Sequence, residues 1–423
     1  MSPQVTVLAD KVGLRDRTWL LRALIIATSA GFVAVIRGVA ETFGVFILPL
    51  EQSLALNRAE TTAIYALAML AIGLCGPLTG ALVDRFGPRT AYTLAAATAL
   101  VALASASVAT MLWQLQLALG LGLGLAVACV GPATQGSMIS RWFRGRESTI
   151  FGIISGTAGL AALVFTPLSQ LLIEEWGWRG AYQTLALLVS LLLIPLAVLP
   201  WRSINAGPQE ASPANQRVAE APVAWRRILR ETLLWRVLAS HFLTCFAMLG
   251  VQVLIVVYLI DSGYAPLTAA SGVGLAGLAT ACGMVLFGWM SDRVGWRRTL
   301  TFSFACSAAG MLALWAMSWG ATPWLLVLYV MTFGLTLGSR GPLMAGLVMR
   351  RFAMPATGRI LGMALLAFGT GSAAGAWCAG ILHETTDGYG AGLTLSAVSL
   401  SLALMLWWIG PDPTRPGQPL LPR

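Results

Sequence analysis

The stretch GALVDRFGPR, residues 80–89, returns as GWMSDRVGWR at residues 288–297, so the chain carries two copies of G-x-x-x-D-R-x-G-x-R at an offset of 208. Three further matches keep this register to within two residues: GPATQG at 131 with GPLMAG at 341, RWF at 141 with RRF at 350, and GAYQTL at 180 with GAGLTL at 390. A match of this extent marks a duplicated unit of about half the chain. Composition identifies the kind of unit. With 57% hydrophobic and 10% charged residues over 423 positions, and a mean hydropathy of +0.77, there is too little polar surface to clothe a soluble globule. The chain reads as an all-α integral membrane protein.

Apolar runs of the length needed to cross ~30 Å of hydrocarbon number twelve. They lie at 20–50, 60–83, 90–110, 112–140, 148–173, 180–199, 233–260, 265–290, 299–318, 322–349, 358–382 and 389–410, and are numbered helices 1 to 12 in that order. Basic residues orient them. With a cytoplasmic N-terminus, 23 of the 27 Lys and Arg fall on the cytoplasmic side, and two, Arg58 and Arg179, on the other. Both termini are therefore expected in the cytoplasm, and the net charge of +10 is a topological signal and not a nucleic-acid footprint. Residues 1–199 and 233–423 read as two six-helix bundles in the same orientation, joined by a cytoplasmic linker at 200–232 rich in Pro, Ala, Gln and Asn. The linker ends in AWRRILRETLLW, an amphipathic stretch expected at the headgroup level with Trp225 and Trp235 as anchors. The six cysteines stand singly in apolar segments, as packing residues do. The first run is much longer than a signal-peptide core and is expected to be a retained span.

The duplicated turn, with Gly80, Asp84, Arg85, Gly87 and Arg89 in one copy and Gly288, Asp292, Arg293, Gly295 and Arg297 in the other, resembles the signature of the major facilitator superfamily after its helices 2 and 8. That resemblance implies a cytoplasmic gate in which the Asp and its basic neighbours lock the two halves together. Within the superfamily the chain looks most like the bacterial relatives of the monocarboxylate porters. The stretches ETFGVFILPLEQSLALNRAET (41–61), RWFRGRESTIFGIISG (141–156), EEWGWRGAY (174–182), GSRGPL (338–343) and HETTDGYGAG (383–392) carry the likeness. It implies a secondary transporter of a small organic anion, working with protons in the inner membrane of a cell. It also implies an arginine in helix 8 and a lysine in helix 11, yet residues 265–290 hold no charge and helix 11 has no Lys.

Charges inside the spans are the candidate site. Arg37 and Glu41 stand one helical turn apart in FVAVIRGVAETFGVFILPL (32–50), and Arg340 stands in helix 10. Each costs a few kcal/mol in hydrocarbon, so such residues face a water-filled pathway or a partner. The resemblance puts helices 1 and 10 on a central cavity. Two arginines and one glutamate leave it at +1, and a guanidinium can donate two parallel hydrogen bonds to a carboxylate. Arg37 and Arg340 are thus expected to bind substrate and Glu41 to carry a proton. The plainer alternatives are an i, i+4 structural pair for Arg37 and Glu41, and backbone carbonyls or Glu41 as partners for Arg340. Asp261 reads as a gate or surface charge, and His241 and His383 as interfacial residues. Glycines of helix 4 (GLGLGL, 120–125), helix 5 (Gly152, Gly156, Gly159) and helix 11 (Gly369, Gly371, Gly375) suit close helix contact, and Pro77, Pro132, Pro167 and Pro342 suit kinks. No GxxxxGK[ST] loop, metal-ligand cluster or nucleophile–base set is present, so no cofactor or metal is expected and transport is gradient-driven. A proton-coupled importer, active as a monomer, is the leading reading. An efflux antiporter for amphipathic compounds is the runner-up, although Thr166 replaces the glycine that such antiporters place before the helix 5 proline. A non-transporting sensor with the same fold is the third.

Overall fold

The computed structural model describes residues 3–143, 147–201, 204, 229–320, 322–341, 343–344 and 356–409. Among them every regular element is helical, as a bilayer demands of a chain that must satisfy each backbone N–H and C=O internally. Ten helices are long and apolar enough to span: Trp19–Leu54, Arg58–Val83, Pro88–Ser107, Leu112–Ile139, Ile150–Val198, Thr232–Asp261, Pro266–Ser291, Trp296–Met317, Gly362–Thr386 and Gly390–Trp408. The longest of these is two spans, because Gly177 adopts φ 67° and ψ 172° and turns the chain between helices 5 and 6. Together with the shorter apolar helix Pro323–Leu337, they make the twelve helices of two six-helix halves. The linker at 200–232, and with it Trp225, lies largely outside the described residues.

Helices 1, 4 and 10 are broken; irregularity was expected from Pro132 in helix 4 and Pro342 in helix 10, but not in helix 1. Helix 1 breaks at Thr42, whose hydroxyl donates back to the Val39 carbonyl at 2.8 Å. Helix 4 winds as a π-helix over Gln116–Leu123 and breaks at Val130–Gly131. The carbonyls freed there accept from neighbouring side chains: Thr134 Oγ1 donates to Cys129 O at 2.6 Å and Gln135 Nε2 to Val130 O at 2.8 Å. Helix 10 repeats the pattern, with a π-helix at Val330–Gly334 and a break at Gly338–Ser339, close to 208 residues further on. Irregular backbone at membrane depth is tolerated where side chains or a water-filled cavity re-satisfy it.

Two glycine seams join the halves. A Cβ on Gly73 of helix 2 would lie 2.9 Å from the Cα of Gly369 of helix 11, and one on Gly159 of helix 5 would lie 2.3 Å from the carbonyl oxygen of Gly277 of helix 8. Gly159 and Gly369 are 210 residues apart, so the duplication places equivalent glycines at both seams. At the end of the bundle away from the repeated turns, Gly44 of helix 1 packs on Val253 and Val256 of helix 7, and Gly380 of helix 11 packs on Thr62 and Ala59 of helix 2.

The repeated turn has a structural role within each half. Gly87 (φ 82°) and Gly295 (φ 96°) occupy backbone that L-residues rarely adopt, and each opens the next helix. Two residues on, Arg89 Nη2 donates to the Leu196 carbonyl at 3.2 Å, near the end of helix 6. Arg297 Nη2 donates to the carbonyls of Trp407 and Trp408, at 3.1 and 3.0 Å, at the end of helix 12. Gly177, Trp178 and Arg179 form a third such unit at the opposite end of the bundle, Arg179 Nη2 donating to the Ala109 carbonyl beyond helix 3 at 3.0 Å. Each arginine satisfies a carbonyl that its helix leaves orphaned and complements the negative end of the helix dipole.

Candidate functional site

Helix 1 carries its charged pair on the last turn before the Thr42 break. Arg37 Nη2 lies 3.1 Å from Glu41 Oε1, and the two side chains are 43% and 30% exposed. Their neighbour Tyr65 of helix 2 is close enough to feel both charges, and its ring stacks on Phe43 at 5.8 Å between centroids. An ion pair at mid-span has no stable exposure to hydrocarbon, so its open face marks water between the helices. Elsewhere on helix 1, Gly38 packs against Ala161 and Phe165 of helix 5, and Thr157 donates to the Ala30 carbonyl at 3.2 Å. These contacts hold the helix 1 backbone in place.

Arg340 is placed differently. It directly follows the helix 10 break and is only 6% exposed. Its Nη2 donates to the Ser303 carbonyl at 3.0 Å and to Ser307 Oγ at 2.5 Å, and its guanidinium carbon lies 4.2 Å over the Phe304 ring. All three partners are on helix 9. The Ser307 hydroxyl is itself 2.6 Å from Thr336 Oγ1, and Ser303 Oγ is 3.2 Å from Ser339 Oγ. Arg37 and Glu41 are thus brought together, whereas Arg340 is turned into its own six-helix half.

Of the duplicated motif, Arg85 lies 5.2 Å over Phe86 and Arg293 lies 5.0 Å over Trp289, both exposed. Gly80 and Gly288 sit within helices 2 and 8. The side chains of Asp84 and Asp292 lie outside the described part of the structure. At the end of the bundle away from the repeated turns, Tyr389 donates to Asp261, and Arg58 Nε pairs with Glu51 Oε1 at 3.2 Å.

Sequence reading passed over the uncharged polar members of this region. Tyr65, Gln135 and Gln252 each stand in an apolar span. Gln135 accepts from Ser155 of helix 5 at 3.3 Å, and Gln252 of helix 7 accepts from Tyr329 of helix 10 at 3.5 Å. A lone amide among apolar residues is the signal that could have found them, since it must hydrogen-bond across helices.

The family profile described as Major Facilitator Superfamily matches residues 30–376. The chain is 27% identical to monocarboxylate transporter 13 of Bos taurus over 376 residues, covering 87% of the chain and 84% of that protein. It is 28% identical to monocarboxylate transporter 12-B of Danio rerio over 404 residues, covering 88% and 83%. Monocarboxylate transporter 11 of Homo sapiens is 25% identical over 425 residues, covering 97% and 86%. Among solved structures, a mutant of the nucleoside transporter NupG superposes with a TM-score of 0.72 at 14% identity, over 92% of the chain and 98% of that structure. That likeness concerns the fold.

Proposed function

The chain belongs to the Major Facilitator Superfamily, and on that premise we propose that it carries a small organic anion, a monocarboxylate, together with a proton by alternating access of its two halves. It is a multi-pass membrane transporter and not an enzyme. The observation that carries the finer reading is the Arg37–Glu41 pair, formed at 3.1 Å beside a helix break and open on one side. Protonation of Glu41 removes the charge that holds Arg37, and the freed guanidinium can then donate two parallel hydrogen bonds to a carboxylate. Loss of substrate and proton on the opposite side lets the pair re-form. Arg340 takes part in substrate binding through its positive field on the cavity, its side chain being enclosed in this conformation.

The outer contacts of Gly44 and Gly380 support a state closed to the outside. The cytoplasmic gate is assigned to Asp84 with Arg85 and Arg89, and to Asp292 with Arg293 and Arg297, the glycines at 80, 87, 288 and 295 shaping the turns. The distribution of basic residues supports an inner membrane location with cytoplasmic termini, and one chain supplies the whole pathway, as a monomer requires. The names of the relatives support the substrate class. The test is counterflow and pH-driven uptake of labelled C2–C6 monocarboxylates in proteoliposomes. Accumulation that collapses with a protonophore supports the reading; counterflow absent for every carboxylate, or insensitive to the pH gradient, overturns it.

A further inference from the structure

Helix 5 carries a line of polar side chains on its half beyond Gly159, towards the turn at Gly177: Thr166, Ser169, Gln170 and Glu174. Thr166 stands two turns after Gly159, on the face that meets helix 8, and Ser169 follows one turn on. The two residues are 1% and 0% exposed, and neither hydroxyl has a hydrogen-bond partner. Hydroxyls elsewhere in the spans commonly donate to a carbonyl of the preceding turn, as Thr157 does to Ile154 O at 2.6 Å, Thr98 to Leu94 O at 2.7 Å and Thr280 to Ala276 O at 2.9 Å. Pro167 adds to the imbalance, because it has no N–H for the Leu163 carbonyl one turn back. Helix 8 lies directly on this stretch, a Cβ on Gly274 falling 3.0 Å from the Leu163 Cα. Gln170, by contrast, is satisfied, donating to Glu174 Oε1 at 2.8 Å. The other seam repeats the situation: Ser372 of helix 11, between Gly369 and Gly380, is 0% exposed and its hydroxyl has no partner.

A buried hydroxyl without a partner has lost its hydration and gained nothing in exchange, so it disfavours the arrangement that buries it. Both seams hold such groups in the halves away from the repeated turns, where glycine contacts close the molecule in this conformation. We infer that Thr166 and Ser169 line the solute pathway in the opposite conformation, open at that end, where water and the passing solute supply the hydrogen bonds that are missing here. They are dry and unsatisfied while helix 8 lies on helix 5, and wet when the two helices part. This role rests on the alternating access proposed above and requires neither Arg37 nor Glu41.

The test is labelling of single cysteines by a membrane-impermeant, sulfonate-bearing methanethiosulfonate, applied to whole cells and to inverted membrane vesicles that hold the full chain in a background freed of native cysteines. Ser169→Cys is expected to react in whole cells at least about tenfold faster than Ala99→Cys, although both positions are 0% exposed here. Thr166→Val keeps the side-chain outline and removes the hydroxyl. It should slow that reaction about five- to tenfold by favouring the closed end, and leave the melting temperature unchanged or higher. Ala34→Cys, one turn before Arg37 and partly exposed, reports alternating access itself. If Ala34→Cys reacts from both sides while Ser169→Cys is as inert as Ala99→Cys, or reacts in inverted vesicles alone, the pathway role is overturned and alternating access stands. If Ala34→Cys reacts in inverted vesicles alone, both fall. A drop of several degrees in the melting temperature of Thr166→Val or Ser169→Ala would show that the hydroxyl has a structural partner, and overturns the role even if Ser169→Cys does not fold.

Discussion

Arg37 and Arg340 are the same residue in two settings, and the difference is exposure. Arg37 keeps 43% of its side chain open and has a titratable partner 3.1 Å away, so it can exchange that partner for a ligand. Arg340 is bound to a carbonyl, a hydroxyl and an aromatic face, which fixes it. The same substitution should therefore act on different observables. Arg37→Lys keeps the charge and loses the fork, and is expected to abolish carboxylate exchange with little change in melting temperature. Arg340→Lys should cost about 2–3 kcal/mol of stability, from the charged hydrogen bonds and ring contact it cannot reproduce. Thermal melts and exchange assays on both variants check this, and a destabilised Arg37→Lys with normal exchange would reverse the assignment. Glu41→Gln separates coupling from structure. If Glu41 carries the proton, this variant still exchanges substrate, while pH-driven accumulation falls to a ratio of about 1. If the pair is only structural, the unpartnered Arg37 should lower stability by several kcal/mol and accumulation should persist in whatever protein folds.

At the scale of the helix, the G-x-R unit shows how one local motif serves packing at long range. The glycine at positive φ turns the chain, the next residue starts a helix, and the arginine reaches a carbonyl about 70–111 residues away in sequence. Gly295→Ala places a Cβ at φ 96°, although the space around it is open, so backbone strain alone should cost about 1–2 kcal/mol. Arg89→Met should cost about 1 kcal/mol by removing the charged donor to Leu196 O at the end of helix 6, which keeps only Trp201 Nε1. Melting of the two single variants and of the double variant checks both values. The sites are in different halves, so the effects should add.

For the whole molecule, the seams are where motion must occur, and the glycines there decide how closely the halves meet. A Cβ on Gly380 would lie 2.0 Å from Thr62 Oγ1, a contact that no rotation of the new side chain relieves. Gly380→Val is expected to hold the outer ends of helices 2 and 11 apart and shift the population toward outward-open. Spin labels at Gln52→Cys and Glu384→Cys, both exposed at the outer end, should report a longer distance in a background freed of native cysteines. Asp84→Asn should do the opposite by removing one side of the cytoplasmic lock. Greater accessibility of cysteines at the cytoplasmic ends of helices 4 and 10 would register the shift. An unchanged outer distance in Gly380→Val would mean that the seam is not a gate.

The sequence by itself determined the class, the duplication and the twelve spans, because hydrocarbon thickness and the D-R repeat at 80–89 and 288–297 act on local composition. It also determined the Arg37–Glu41 pair as one of two readings, since i, i+4 spacing on a helix brings those side chains together whatever surrounds them. Only the tertiary structure decided the direction of Arg340, the reach of Arg89 and Arg297 to distant helix ends, and the break in helix 1. The reason is the solvent. Lipid tails are as apolar as the helices, so hydrophobicity does not distinguish a lipid-facing from a buried face. Which face turns inward is set by the close fit of partners such as Gly73 with Gly369 and Gly159 with Gly277. Those partners stand far apart along the chain.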